Sequence, residues 1–307
     1  MDLIVGATGY VGTLLTRALV SKGRAVRALS RHPPQGVRGE DGVERVRGDV
    51  LEDQGLDSAL RGCDVAYYLV HSMEAGASSF EARDRRAAKN FVAACRRAGV
   101  SRVVYLGGIE PSGPLSAHMR SRLEVERILM ESLPAATGLR ASIVIGSGSP
   151  SFRLMVRLIE RIPVLPLPPW RERRTQPIAE RDVVQSLVRT PMVEGTAGRS
   201  IDLVGPDALS YGEMLQGIAA ELEIDRPGVD LPIFTAPAFA AVASAIAGTE
   251  VDLVRALMGS LNADILPRSE RAAQEMRELF GIRPLPFQRA VRRALADWER
   301  DEPLAAR

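Results

Sequence analysis

The stretch Val5–Gly12, "VGATGYVG", decides the fold. It follows the short apolar run Asp2–Val5 and opens a helical pattern over 10–22. Gly6, Gly9 and Gly12 give a GxxGxxG spacing. Glycines so placed permit a tight strand-to-helix turn, close backbone approach to a pyrophosphate, and close packing of helix on strand. The N–H groups around Gly9, Tyr10 and Val11, with Thr8 in the turn, would then face an anion at the positive end of the helix. A glycine pattern alone is weak evidence. Set between the first strand and first helix of an alternating chain, it reads as a dinucleotide site.

The alternation continues for half the chain. Strand patterns begin at Ala25 ("AVRAL"), Val43 ("VERVRGD"), Asp64 ("DVAYYLV"), Arg102 ("RVVYLGG") and Arg140 ("RASIVIG"). Helical patterns lie between them near 53–61, 79–98 and 116–132, with another at 151–161. Strict alternation implies a parallel sheet covered on both faces, an α/β fold of the Rossmann-type doubly wound class. The apolar run "SIVI" reads as part of a buried sixth strand. "IPVLPLPPWRERRTQPI" holds five prolines and cannot be a regular helix. "AERDVVQSLVRT" then reads as a helix and "RSIDLVG" as a further strand, and after Asp207 the pattern is mostly helical. The expected organisation is a dinucleotide-binding domain over 1–146, rejoined by 176–204. A smaller, mostly helical substrate-side lobe takes 147–175 and 205–307.

The 307 residues are 46% apolar and 25% charged, ordinary for a globular protein. Forty basic and 38 acidic residues leave a net charge of +2, which makes no electrostatic case for nucleic acid. The two cysteines, Cys63 and Cys95, form no disulfide framework or metal spacing, so no metal is expected and a cytoplasmic setting is. The N-terminus lacks a signal-peptide pattern. The longest apolar stretch, "APAFAAVASAIAG" from Ala236, is too short to span a bilayer and reads as a buried helix. Residues 152–170, "FRLMVRLIERIPVLPLPPW", mix basic and apolar side chains. They suit either a core-facing lobe helix or peripheral contact with a membrane or partner. Oligomeric state leaves no signature.

NAD binders usually carry Asp or Glu at the end of the second strand, on the ribose hydroxyls. Here that strand runs into Ser30 and Arg31, with no acid, and an arginine suits a 2′-phosphate. NADP is therefore the expected cofactor and NAD the alternative. Asp49 and Val50, in "GDV" after the third strand, would border the adenine.

"GATGYVG", "GDV", "GVSRVVYLGG" and "HMRSRLEVERIL" together resemble the atypical short-chain dehydrogenase/reductases. "YYLVHSM", "RASIVIGSGSPSF" and "TQPIAERDV" are similar to its NmrA-like and YbjT-like NAD(P)-binding branch. The resemblance covers most of the chain and is weakest after about Asp207. It implies a Rossmann core with a bound dinucleotide. The branch includes reductases, redox-sensing regulators and a nucleotide-binding accessory subunit of respiratory complex I.

Active short-chain dehydrogenases use a Tyr-x-x-x-Lys pair on the helix after the fifth strand, and a Ser at that strand's end. The resemblance places Gly107 and Gly108 at the Ser position, His118 at the Tyr position and Arg122 at the Lys position. His118 can supply a proton near neutral pH, whereas Arg122 can bond a ribose or phosphate but cannot shuttle a proton. His71 and Ser72 should lie at the carboxyl end of the fourth strand, on the same ligand-binding edge. His71 is thus a second candidate for proton transfer and for the cofactor edge. "GSGSPSF" from Gly146 should border the crevice or cap a helix through Ser149 or Ser151, and Thr175 and Gln176 should approach the substrate. Two functions follow. One is an NADPH-dependent reductase of a small carbonyl or quinone-like molecule, without the usual triad. The other is a non-catalytic NADP(H)-binding sensor, regulator or assembly subunit.

Overall fold

A computed structural model describes residues 1–33, 42–71, 80–167, 169–230, 236–248, 251–259, 261–302 and 304. Seven parallel strands form the central sheet: β1 (Asp2–Val5), β2 (Val26–Ser30), β3 (Glu44–Arg47), β4 (Val65–Tyr68), β5 (Arg102–Gly108), β6 (Thr137–Ala141) and β7 (Ser200–Leu203). Their order is β3-β2-β1-β4-β5-β6-β7. The winding reverses between β1 and β4, which pair from Asp2↔Val65 to Val5↔Tyr68. Ligands of open α/β sheets bind beyond the carboxyl ends of the strands at such a switch point.

Period-two alternation builds a core on each face of this sheet. Leu3, Val5, Ala66, Tyr68, Val103 and Tyr105 point to one side. They meet α2 (Leu56–Leu60), α3 (Phe80–Ala98) and α4 (Ala117–Ser132), which bring Leu60, Phe91 and Leu129. Ile4, Val65, Tyr67, Val104 and Leu139 point to the other. There α1 (Tyr10–Ser21), α6 (Glu180–Arg189) and α10 (Glu270–Phe280) contribute Leu15, Leu187 and Met276. α10 thus packs on the sheet although it lies within 205–307, the range read as lobe.

A separate core joins α5 (Pro150–Arg161), α7 (Tyr211–Glu221) and α11 (Phe287–Glu299) through Phe152, Ile159, Met214, Ile218, Val291 and Trp298. α8 (Ala236–Ala247) and α9 (Val251–Met258) pack beside it on Leu154 and Leu158. The apolar face of α5 is therefore turned inward, and Arg153 and Arg157 stack on the Trp298 ring and pair with Glu302. No helix among the described residues is long and apolar enough to cross a membrane.

"RASIVIG" is not one strand. β6 starts earlier, at Thr137, and ends at Ala141, and Val144–Ile145 pairs instead with Ile178–Ala179. The break has a local cause. The Ser142 hydroxyl donates to the Gln176 carbonyl, and the Ile143 carbonyl accepts from the Ile178 N–H at 2.9 Å. The chain changes partner there, leaving the sheet for the segment that returns to α6.

Candidate dinucleotide and substrate site

Gly6 sits at φ +89°, a conformation that disfavours side chains, and a Cβ there would lie 3.0 Å from the Leu69 carbonyl. A Cβ on Gly12 would overlap the Gly6 carbonyl oxygen. β1, the turn and α1 are thus held in near backbone contact, with β4 alongside. Gly9 donates to the Gly6 carbonyl at 3.1 Å, and the first α1 bond runs from Thr13 N to Gly9 O at 2.9 Å. Gly9 is the N-cap and contributes no side chain. The N–H groups of Tyr10, Val11 and Gly12 therefore precede the helical ladder, beside exposed Thr8 and Gly9. This glycine cradle, which a side chain would fill, fits a dinucleotide pyrophosphate.

The Tyr10 side chain points elsewhere. Its hydroxyl donates to the Glu180 carboxylate at the start of α6. Burial, then the Glu180 charge, pushes the phenol well above its usual range. Burial likewise raises the Glu180 carboxyl, against the lowering effect of the Tyr10 hydrogen bond. The glycines of "GSGSP" make room for this ring: a Cβ on Gly148 would lie 2.7 Å from Tyr10 Cδ2, and one on Gly146 would overlap the hydroxyl. Ser149 is the N-cap of α5 without a capping side-chain bond, and its hydroxyl instead meets that of Ser151 at 3.2 Å.

At the other side of the sheet's carboxyl edge, Ser30 closes β2, its carbonyl bonded by Gly48 N at 3.1 Å, and Arg31 and His32 are exposed. Asp49 is engaged with its own turn, Oδ1 accepting from Leu51 N at 2.8 Å. The Val50 side chain lies in the sheet core. Asn90 of α3 holds the backbone there, donating to the Val50 and Leu51 carbonyls at 3.0 Å each. Asn90 escaped the sequence reading, although a polar residue three after buried Ala87 on an amphipathic helix is a visible signal.

At the carboxyl ends of β4 and β5, His71, His118 and Arg122 lie close enough to influence one another's charge. His71 follows β4, its ring edge-on to Tyr105 with centroids 6.4 Å apart. Ser72 lies outside the described residues. His118 stands in the first turn of α4, which Ser116 caps by accepting from Met119 N at 3.2 Å. Burial, then the Arg122 charge, lowers His118 to about 4. Burial, then Arg122 and His118, holds His71 well below its ordinary value. Both imidazoles are neutral at pH 7. Arg122 Nη2 donates to the Leu106 carbonyl at 3.1 Å, while Nε is buried with no partner among the described residues.

Of the two positions where the resemblance would put a serine, Gly107 is closed to a side chain, whereas at Gly108 only the flexible end of Met119 would have to yield. A Cβ on Gly107 would meet Tyr105 Cε1 at 2.9 Å; one on Gly108 would lie 3.2 Å from Met119 Cε and 3.6 Å from Arg122 Nε. Thr175 and Gln176 are both buried, and Gln176 Nε2 donates to the Gly205 carbonyl at 2.6 Å. Gln176 thereby ties the returning chain to the exit of β7.

Residues 6–144 match the NAD(P)H-binding family. The chain is 28% identical over 235 residues to divinyl chlorophyllide a 8-vinyl-reductase of Cucumis sativus, covering 69% of this chain but only 55% of that protein. It is 28% identical over 290 residues to ceramide reductase of Caulobacter vibrioides, covering 91% and 90% of the two chains. The triphenylmethane reductase of Citrobacter sp., solved with NADP(H), superposes with a TM-score of 0.71 over 96% of this chain and all of that one, at 16% identity. The glycine cradle on β1 lies within the segment 6–144 that matches the NAD(P)H-binding family, and reductases are among the proteins the chain is similar to.

Proposed function

We propose that the protein is an NADPH-dependent oxidoreductase of a small carbonyl or quinone-like substrate, working without a Ser-Tyr-Lys set. The observation that carries this reading is convergence: His71, His118 and Arg122 meet at the strand ends beside the glycine cradle. A bound reduced dinucleotide supplies the hydride. The N–H groups of Tyr10, Val11 and Gly12 hold its pyrophosphate, Asp49, Val50 and Asn90 shape the adenine border, and Ser30 and Arg31 receive the 2′-phosphate. His71 and His118, being neutral, act as hydrogen-bond donors or acceptors that orient the substrate oxygen, rather than as imidazolium acids. Residues 1–146 with 176–204 bind the dinucleotide in this reading, and 147–175 with 205–307 frame the substrate.

Single-turnover oxidation of bound NADPH by a panel of quinones and carbonyls tests it, with loss of reduced-nicotinamide absorbance expected. Arg31→Ala should weaken NADPH about tenfold and leave NADH unchanged, the cost of one charge-assisted phosphate contact. Equal loss for both dinucleotides would refute the NADP preference. A second reading, a non-catalytic NADP(H) sensor or assembly subunit, is favoured by the space closed at Gly107. Tight NADPH binding without turnover across the panel would select it.

A further inference from the structure

Arg122 occupies an unusual position for a cation. Its Nη2 is pinned to the Leu106 carbonyl, two residues before the end of β5, at 3.1 Å. The helical turn that carries it is pinned in return, the Tyr105 hydroxyl donating to the Arg122 carbonyl at 3.1 Å. The guanidinium is thereby held against the strand end, and Nε comes within 3.6 Å of where a Gly108 Cβ would stand. Nε is buried and bonds to nothing among the described residues. A buried N–H left unmatched is costly, and such groups persist where a ligand completes them. No described carboxylate pairs with Arg122. His71 and His118 carry no charge at neutral pH, so of the three only Arg122 is cationic.

We propose that Arg122 Nε–H is the donor that binds and polarises the substrate's reacting oxygen, standing in for the side chain absent at Gly107 and Gly108. The proposal rests on the oxidoreductase reading and assigns it an oxyanion-stabilising group. As the ring carbon conjugated with the quinone C=O takes up hydride, the C=C pair shifts and the electron pair of the C=O bond moves to oxygen; that carbon's extra hydrogen then passes as a proton, through water, to the second carbonyl oxygen. Nε–H and the fixed positive charge stabilise the resulting oxyanion, which takes its proton from water. Arginine gives up no proton here. The substrate class follows: carbonyls whose reduced form has an acidic oxygen, quinones foremost, gain most from a cationic donor.

The test uses the whole protein saturated with NADP⁺ and titrated with 4-nitrophenol, whose phenolate is read by its own absorbance. The wild type should prefer phenolate over phenol by about tenfold, a lowering of the bound phenol's pKa by about one. Arg122→Met should abolish that preference while changing NADP⁺ affinity less. Gly108→Ser offers Nε an internal acceptor and keeps the cation, and should abolish the preference as well. The Met119 methyl at 3.2 Å is the flexible group that would yield to it. A wild type that shows no phenolate preference overturns the proposal. So does an Arg122→Met variant that keeps it, or one that loses NADP⁺ more than phenolate. Phenolate preference that needs Arg122, with no turnover of any carbonyl, would sink the oxidoreductase reading and leave this donor standing.

Discussion

His118 shows how burial changes what a residue can do. At the Tyr position of the resembled site it reads as a proton donor near neutral pH, but its pKa is lowered to about 4 by burial and by Arg122. The unfolded chain takes up a proton on this imidazole near pH 6.5, the folded chain only near pH 4. Between those values the unfolded state binds more protons, so stability rises with pH. The residue's contribution is complete above pH 6.5 and is lost as the pH falls towards 4. It amounts to at most about 3 kcal/mol, reduced by the partial exposure of the ring. His71 acts in the same direction. Denaturant unfolding from pH 7 to pH 4 should show a shallower loss for His118→Gln than for the wild type. Parallel curves would refute the buried neutral imidazole.

Among the elements, α1 is the most constrained. Its start carries the cradle, its Gly12 abuts the Gly6 carbonyl, and its Tyr10 is tied to Glu180 of α6 between Gly146 and Gly148. Gly12→Ala must push α1 off β1 to clear that carbonyl. It should cost about 3 kcal/mol, as overpacked cores do, and lose measurable dinucleotide binding by calorimetry. A variant that binds normally would show that the turn does not need this approach. α4 is constrained differently, since its first turn brings His118 and its second brings Arg122 to one strand end. Helical periodicity put both residues on one face, but the guanidinium's attachment to Leu106 depends on the length of β5.

Across the whole molecule, the sheet edge is held by charge as well as by apolar packing. Glu126 of α4 is buried and accepts from Arg140 Nε of β6 at 2.9 Å and from the Ser200 hydroxyl of β7. Next to it on β7, Asp202 accepts from Arg268. Gly138 leaves the space, since a Cβ there would lie 2.6 Å from Glu126 Oε1. Glu126→Ala strands Arg140 without its partner and should lower stability by about 3 kcal/mol in urea unfolding. Glu126→Gln, which keeps an acceptor for Arg140, should lose less. Equal losses would show that shape rather than charge matters there.

Much of this was legible in the chain alone. GxxGxxG after a strand, period-two apolar runs and intervening helical patterns are short-range signals, and they specify the Rossmann core and its cradle. Six of the seven strands lie where those patterns stand, because each is buried by its own alternation. The sixth reading failed because the apolar run continues through Ile143–Ile145 beyond the strand's end at Ala141, and only the distant Gln176 and Ile178 decide where the partner changes. Gly146 and Gly148 read only as part of a crevice loop, and they leave space for a tyrosine 136 and 138 residues earlier in the chain. The neutral state of His71 and His118 and the unmatched Nε of Arg122 belong to the same class. They depend on dielectric surroundings and on partners brought by other strands. Sequence determined which groups stand at the carboxyl edge of the sheet; the tertiary structure decided their charge and their partners, because desolvation and long-range hydrogen bonds exist only once the chain has packed.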